Sequence, residues 1–155
     1  MTSAVKPIPD GYAAITPYLI IRGAAEAIDY YQRVFGAEVR FRLDEPSGRV
    51  GHAELVIGGS VIMIGDEYPE MDIVGPQTVG GAPVKIHLYT EDVDATVERA
   101  VAAGAKPIRP IENQFYGDRS GTIEDPFGHH WYIATHVEDV SPEEMQSRAA
   151  ALFGG

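Results

Sequence analysis

Two stretches decide how this chain is read: Arg49-Val50-Gly51-His52-Ala53-Glu54 and, further along, Arg119-Ser120-Gly121-Thr122-Ile123-Glu124. Both have the form R-x-G-x-x-E, and both lead into a glycine-closed hairpin. The first hairpin turns at Gly58-Gly59, the second around Asp125-Pro126-Phe127-Gly128, and two-residue or short glycine turns are what joins antiparallel strands. Internal repetition on this scale predicts a duplicated unit.

Working outward from the first stretch, Ala13–Arg22 is rich in β-branched and aromatic residues and reads as a strand, with Pro17 marking an edge or entry. Ala24–Phe35 places apolar residues at 3- and 4-residue spacing and stops at Gly36, a helix with its terminator. Strands follow at Glu38–Leu43, Val50–Ile57 and Ser60–Ile64. Gly65–Pro83 then reads as a long loop. Around the second stretch the order returns: a strand at Val84–Tyr89, a helix at Val93–Ala103, an edge strand at Pro107–Ile111, and the hairpin Gly121–Glu124 with His130–His136. Ser141-Pro142-Glu143-Glu144 is a capping box with proline at the first helical position, so a last helix begins there. The fold class is therefore α+β, with paired β-α-β-β-β modules. The expected divisions are a tail over 1–12, a first module over 13–65, a linker over 66–83, a second module over 84–136, and a C-terminal helix within 137–155.

Bulk properties bound the function. The 155 residues are 45% hydrophobic and 23% charged, ordinary for a globular chain. A formal net charge of −11 repels phosphate backbones and argues against nucleic acid. No cysteine is present, which excludes disulfides and thiolate chemistry. No apolar run approaches a membrane span, and the N-terminus lacks a signal-peptide core, so a cytoplasmic location is expected.

Ile15-Thr16-Pro17-Tyr18-Leu19, the run Ala27-Ile28-Asp29-Tyr30-Tyr31 to Val34-Phe35-Gly36, and Glu91-Asp92-Val93-Asp94-Ala95 to Ala103-Gly104-Ala105 resemble the vicinal-oxygen-chelate (glyoxalase/bleomycin resistance/dioxygenase) superfamily. Asp125-Pro126-Phe127-Gly128-His129-His130-Trp131 resembles its closing hairpin, and Gly117–Glu144 is similar to the subgroup named after PhnB. The resemblance covers roughly residues 12 to 144. It implies that the modules curl into a cup-shaped mixed sheet, and homodimers are common in the family. The cup holds a metal in glyoxalases, isomerases and extradiol dioxygenases, and a drug without metal in bleomycin-resistance proteins.

The resemblance also implies four ligand places, which here fall on Thr16, Met63, Lys85 and Tyr132. None is a good donor to a divalent cation, and the Lys85 ammonium would repel one. Strand alternation independently turns Lys85, His87 and Tyr89 to one face and Val84, Ile86 and Leu88 to the other. The expected function is thus metal-free binding or sequestration of an organic ligand, including a cationic one, as in antibiotic resistance. Its expected site is Thr16, Tyr18, Met63, Lys85, His87, His130 and Tyr132, with Tyr116 and Arg119 reaching in from a loop. No cofactor is expected, and the partners are a small organic molecule and a second copy of the chain. Two alternatives stay open. One is a metal-dependent enzyme of the glyoxalase, isomerase or dioxygenase type with Zn or Ni on a displaced set, His52, Glu54, His87 and Glu124. The other is a metal-free enzyme using Lys85 or His87 as base.

Overall fold

A computed structural model describes residues 4–154. The chain forms two compact units that divide between Gly75 and Pro76. Of the expected 1–12 tail, residues 1–3 lie outside the described residues, as does Gly155.

The first unit contains β1 (Tyr18–Ile21), α1 (Ala24–Phe35), β2 (Glu38–Asp44), β3 (Val50–Ile57) and β4 (Ser60–Asp66). Its sheet runs β1-β4-β3-β2, with β1 parallel to β4 and the other pairs antiparallel. Helix α1 covers one face. Ala24, Ala27, Ile28, Tyr31 and Val34 are buried there with Leu19, Ile21, Leu55, Ile62 and Ile64 of the strands, the 3.6-residue and two-residue periodicities meeting on one apolar layer. The opposite face carries Tyr18, Met63, Glu54, His52, Phe41 and Leu43. The register fixes this by pairing Tyr18 with Met63, Met63 with Glu54, Glu54 with Phe41, and His52 with Leu43.

The second unit repeats the plan: α2 (Pro76–Val79, a single turn), β5 (Lys85–Tyr89), α3 (Val93–Ala102), β6 (Lys106–Asn113), β7 (Asp118–Glu124), β8 (His130–His136) and α4 (Pro142–Leu152). Its sheet order is β5-β8-β7-β6, again with one parallel pair, β5 with β8. Trp131, Ile133 and Ile123 pack beneath α3 with Val93 and Ala100. The Trp131 indole N–H donates to the buried Asp125 carboxylate at 2.9 Å, and the same carboxylate accepts the Phe127 and His129 amides. Asp125 thereby satisfies three donors at the hairpin turn, which explains how a carboxylate only 2% exposed is tolerated.

Several boundaries differ from the sequence reading. Strand β1 begins at Tyr18 rather than Ala13, because Pro17 has no amide to extend the ladder, although its carbonyl still accepts from Met63. Strands β6 and β7 are longer than expected, since edge prolines at 107 and 110 do not interrupt pairing with β7 beyond local register shifts. The 65–83 segment is more structured than a plain loop. β4 runs on to Asp66, Pro69–Met71 forms a 3₁₀ turn and Pro76–Val79 a helical turn.

Candidate functional site

In the first unit, the side opposite α1 carries one continuous hydrogen-bonded chain. Glu54, only 7% exposed, accepts from the Tyr12 hydroxyl on one oxygen and meets His52 Nε2 at 2.9 Å on the other. His52 Nδ1 lies 2.9 Å from the Tyr18 hydroxyl. The Tyr12 hydrogen bond, then that of His52, hold the Glu54 carboxyl below the usual carboxylate range. Tyr12 is raised by the same hydrogen bond, and Tyr18 chiefly by burial. An ionised Glu54 can only accept, so His52 Nε2 carries the proton; in the neutral imidazole Nδ1 then accepts, and Tyr18 donates to it.

Tyr18 and Ile20 also wall a hollow of about 360 Å³, closed on the other side by Tyr68, Ile73 and Val74. Gly51 and Gly65 lie along it. A Cβ at Gly65 would sit 3.1 Å from the Tyr18 hydroxyl, so the absent side chain leaves that oxygen room. The segment after β4 is fastened by two carboxylates. Asp66 Oδ1 accepts from the amides of Gly23 and Ala24 at the start of α1, and its Oδ2 from Val50. Glu67 receives Arg22 Nε at 3.0 Å and the Gly75 amide at 2.8 Å.

In the second unit the corresponding face carries Lys85, His87 and Tyr89 of β5 beside His130 and Tyr132 of β8. The His87 ring lies 4.6 Å from that of Tyr89 and 4.8 Å from that of Tyr132. Tyr132 is within hydrogen-bond reach of Ser120 Oγ, 2.6 Å away, and of the Tyr116 hydroxyl. Glu124 meets His130 Nε2 at 3.0 Å and Lys106 more distantly at 3.8 Å. Asp118, buried, accepts from Tyr89 and pairs with His136, which also reaches Asp139. These two carboxylates raise the His136 imidazole, the Asp118 hydrogen bond most. A larger hollow of about 500 Å³ in this unit lies toward Pro76, Gly104, Lys106 and Pro126 rather than against His87 and Tyr132.

Within the first unit the structure brings Tyr18 and Met63 to one face, and Thr16 lies half-buried just before β1. Within the second it brings together Lys85, His87, Tyr116, His130 and Tyr132. Arg119 is a correction. Its guanidinium grips Asp94 of α3 at 2.8 and 2.9 Å, on the helix side of the sheet, because residue 119 alternates away from Asp118 and Ser120. Arg119 therefore leaves the face on which Tyr116 meets Tyr132, instead of reaching into the site beside it.

The rival metal set is also rearranged. His52 and Glu54 form one pair, Glu124 pairs with His130, and His87 is engaged with tyrosine rings. Among the described residues no three His, Asp or Glu side chains gather as a metal site. The places that the family resemblance assigns to ligands do not fit a divalent cation either. Thr16 and Met63 are poor donors, Lys85 is cationic, and the Tyr132 hydroxyl is taken up by Ser120 and Tyr116. The sequence reading missed Tyr12, Glu45, Tyr68 and Asp66 altogether. The R-x-G-x-x-E repeat was the available signal for Glu54 and Glu124, each of which ends against a histidine Nε2.

Comparison with known proteins agrees with this geometry. The family described as the Glyoxalase/Bleomycin resistance protein/Dioxygenase superfamily matches residues 12–133. The chain belongs to that superfamily. Among superfamily-like relatives, the Mycobacterium tuberculosis H37Rv protein Rv0887c is 42% identical over 145 residues, covering 92% of this chain and 85% of its own length. The crystal structure of TioX from Micromonospora sp. ML1 is similar with a TM-score of 0.62 and 27% identity, covering 81% of this chain and 99% of that one. A PhnB protein from Bacillus cereus shares the superfamily fold at a TM-score of 0.64 and 19% identity, covering 79% and 99%. Among the described residues no helix is long and apolar enough to cross a membrane.

Proposed function

We propose that this superfamily member binds a small organic molecule without metal, in the manner of the bleomycin-resistance branch, against the sheet faces that its helices leave open. The observation that carries the reading is the donor chemistry at the four family ligand places: Thr16, Met63, Lys85 and Tyr132 are a hydroxyl, a thioether, an ammonium and an engaged phenol. The faces around them combine aromatic walls with a few polar anchors, as organic-ligand sites do. Tyr18 and Phe41 flank His52 on one, and Tyr89 and Tyr132 flank His87 on the other. The net charge of −11 favours approach of a cationic ligand without supplying specificity.

The reading includes kinship with the PhnB-like subgroup, supported by the Gly117–Glu144 stretch and the Bacillus cereus fold. It also includes a homodimer, supported by exposed apolar side chains such as Ile15, Leu43 and Val84; light scattering should return twice the chain mass. Calorimetric titration with metal-free bleomycin tests the binding. The same affinity with and without EDTA is expected. Heat that vanishes on chelation, together with activity restored by Zn or Ni, would replace this reading with a metal enzyme.

A further inference from the structure

The two tyrosines that wall the first unit's hollow are both wired outward. In the neutral tautomer of His52 whose Nε2–H faces Glu54, Nδ1 accepts and the Tyr18 hydroxyl donates a hydrogen bond to it. Tyr68 donates to Glu45, and that hydrogen bond pushes the phenol up to about 12. Each proton is thus committed to a base, and what each oxygen can offer the hollow is lone pairs. The Tyr18 oxygen stands over Gly65 and the Tyr68 oxygen near Gly51, two positions where no side chain covers them.

The remaining polar lining points the same way. The Asp66 carboxylate is also an acceptor, occupied by three backbone amides. Asp72, held at φ 61 at the end of the 3₁₀ turn, adds negative charge. Among the described residues no lysine, arginine or histidine lines the hollow. Arg49, whose guanidinium lies 4.8 Å from the Tyr68 ring, is tied to Glu70 at 2.9 Å. Side-chain acceptors and aromatic faces without a free side-chain donor define what fits: an acceptor-only ligand finds no side-chain donor for its polar atom, whereas an O–H or N–H can donate to a tyrosine oxygen lone pair.

We infer that the hollow between Tyr18 and Tyr68 is a recognition site for small organic molecules that donate hydrogen bonds, hydroxyl or amine compounds, and that it discriminates against acceptor-only molecules of the same shape. This deepens the proposed function and rests on it, since it presupposes an organic ligand on this face.

Phenol and fluorobenzene are closely matched in size and differ in the donor, and NMR titration of the tyrosine rings of the full chain measures both. Phenol is expected to bind more tightly. The phenol-to-fluorobenzene affinity ratio is expected to fall about fivefold or more in the Tyr18→Phe, Tyr68→Phe double variant, the effect of losing one or more net hydrogen bonds. Fluorobenzene binding in that variant reports that the hollow is intact. A ratio unchanged by the double substitution, with fluorobenzene still bound, would overturn the donor preference and leave the organic-ligand reading standing. Failure of both probes to bind the wild-type protein would overturn the inference and the reading of this hollow together.

Discussion

At the scale of single residues, the repeated glutamates show how one sequence signal becomes two local devices. Glu54 orients His52 from the same strand, and Glu124 meets His130 across the β7–β8 pair. Arg119 behaves differently. Because it serves α3 through Asp94, Arg119→Ala should leave ligand affinity within error of wild type in the bleomycin titration, whereas Tyr132→Phe, which disconnects Ser120 and Tyr116, should weaken it several-fold. Loss of binding in Arg119→Ala alone would return that residue to the site. His136 gives a pH signature. Its imidazole is raised from 6.5 by Asp118 and Asp139, so its contribution to stability is full below about pH 6.5 and is lost as pH rises through the raised midpoint. NMR should place that midpoint above 6.5, and thermal melts from pH 6 to 9 should decline less in His136→Asn than in wild type. The strand alternation that separated Lys85 and His87 from Ile86 was legible in the sequence. The hydrogen bonds of Tyr12 and Tyr68 were not, since they depend on where a proline-rich N-terminal segment and a post-β4 turn come to rest.

At the scale of elements, helices α1 and α3 and strands such as β3 and β8 could be read from periodicity, because each buries an apolar face and its period follows that face, while the exposed edge strands β2 and β6 were legible from the turns and glycines that flank them. What escaped was the segment after β4. Residues 65–83 carry three prolines and four glycines and read as a plain loop, yet Asp66 and Glu67 bond them to Arg22, to the start of α1 and to β3, and Glu67 also holds the Gly75 amide. Asp66 stands in for a capping side chain that Gly23 cannot supply, as no side-chain cap is present at that end of α1. Asp66→Ala should therefore destabilise the protein by about 1 kcal/mol, the usual worth of a helix cap, or somewhat more because the Val50 amide loses its partner too. Urea denaturation reads this as a lower midpoint at unchanged slope. An unchanged midpoint would mean that water replaces the carboxylate at no cost.

At the scale of the whole molecule, duplication is the organising fact. Each unit has one parallel and two antiparallel strand pairs, one long covering helix and one open face rich in aromatic rings. The superfamily was legible because the repeat, the helix terminators and the closing hairpin all lie within one chain of 155 residues. Chemistry was less legible, because the superfamily places metal ligands and organic-ligand contacts on the same strands and only the residue types distinguish them. Here those types are a threonine, a methionine, a lysine and a tyrosine. The most direct test is the metal content of protein purified without chelators, measured by inductively coupled plasma mass spectrometry. Metal far below one ion per chain is predicted; stoichiometric zinc, nickel, manganese or iron would contradict the account at its centre.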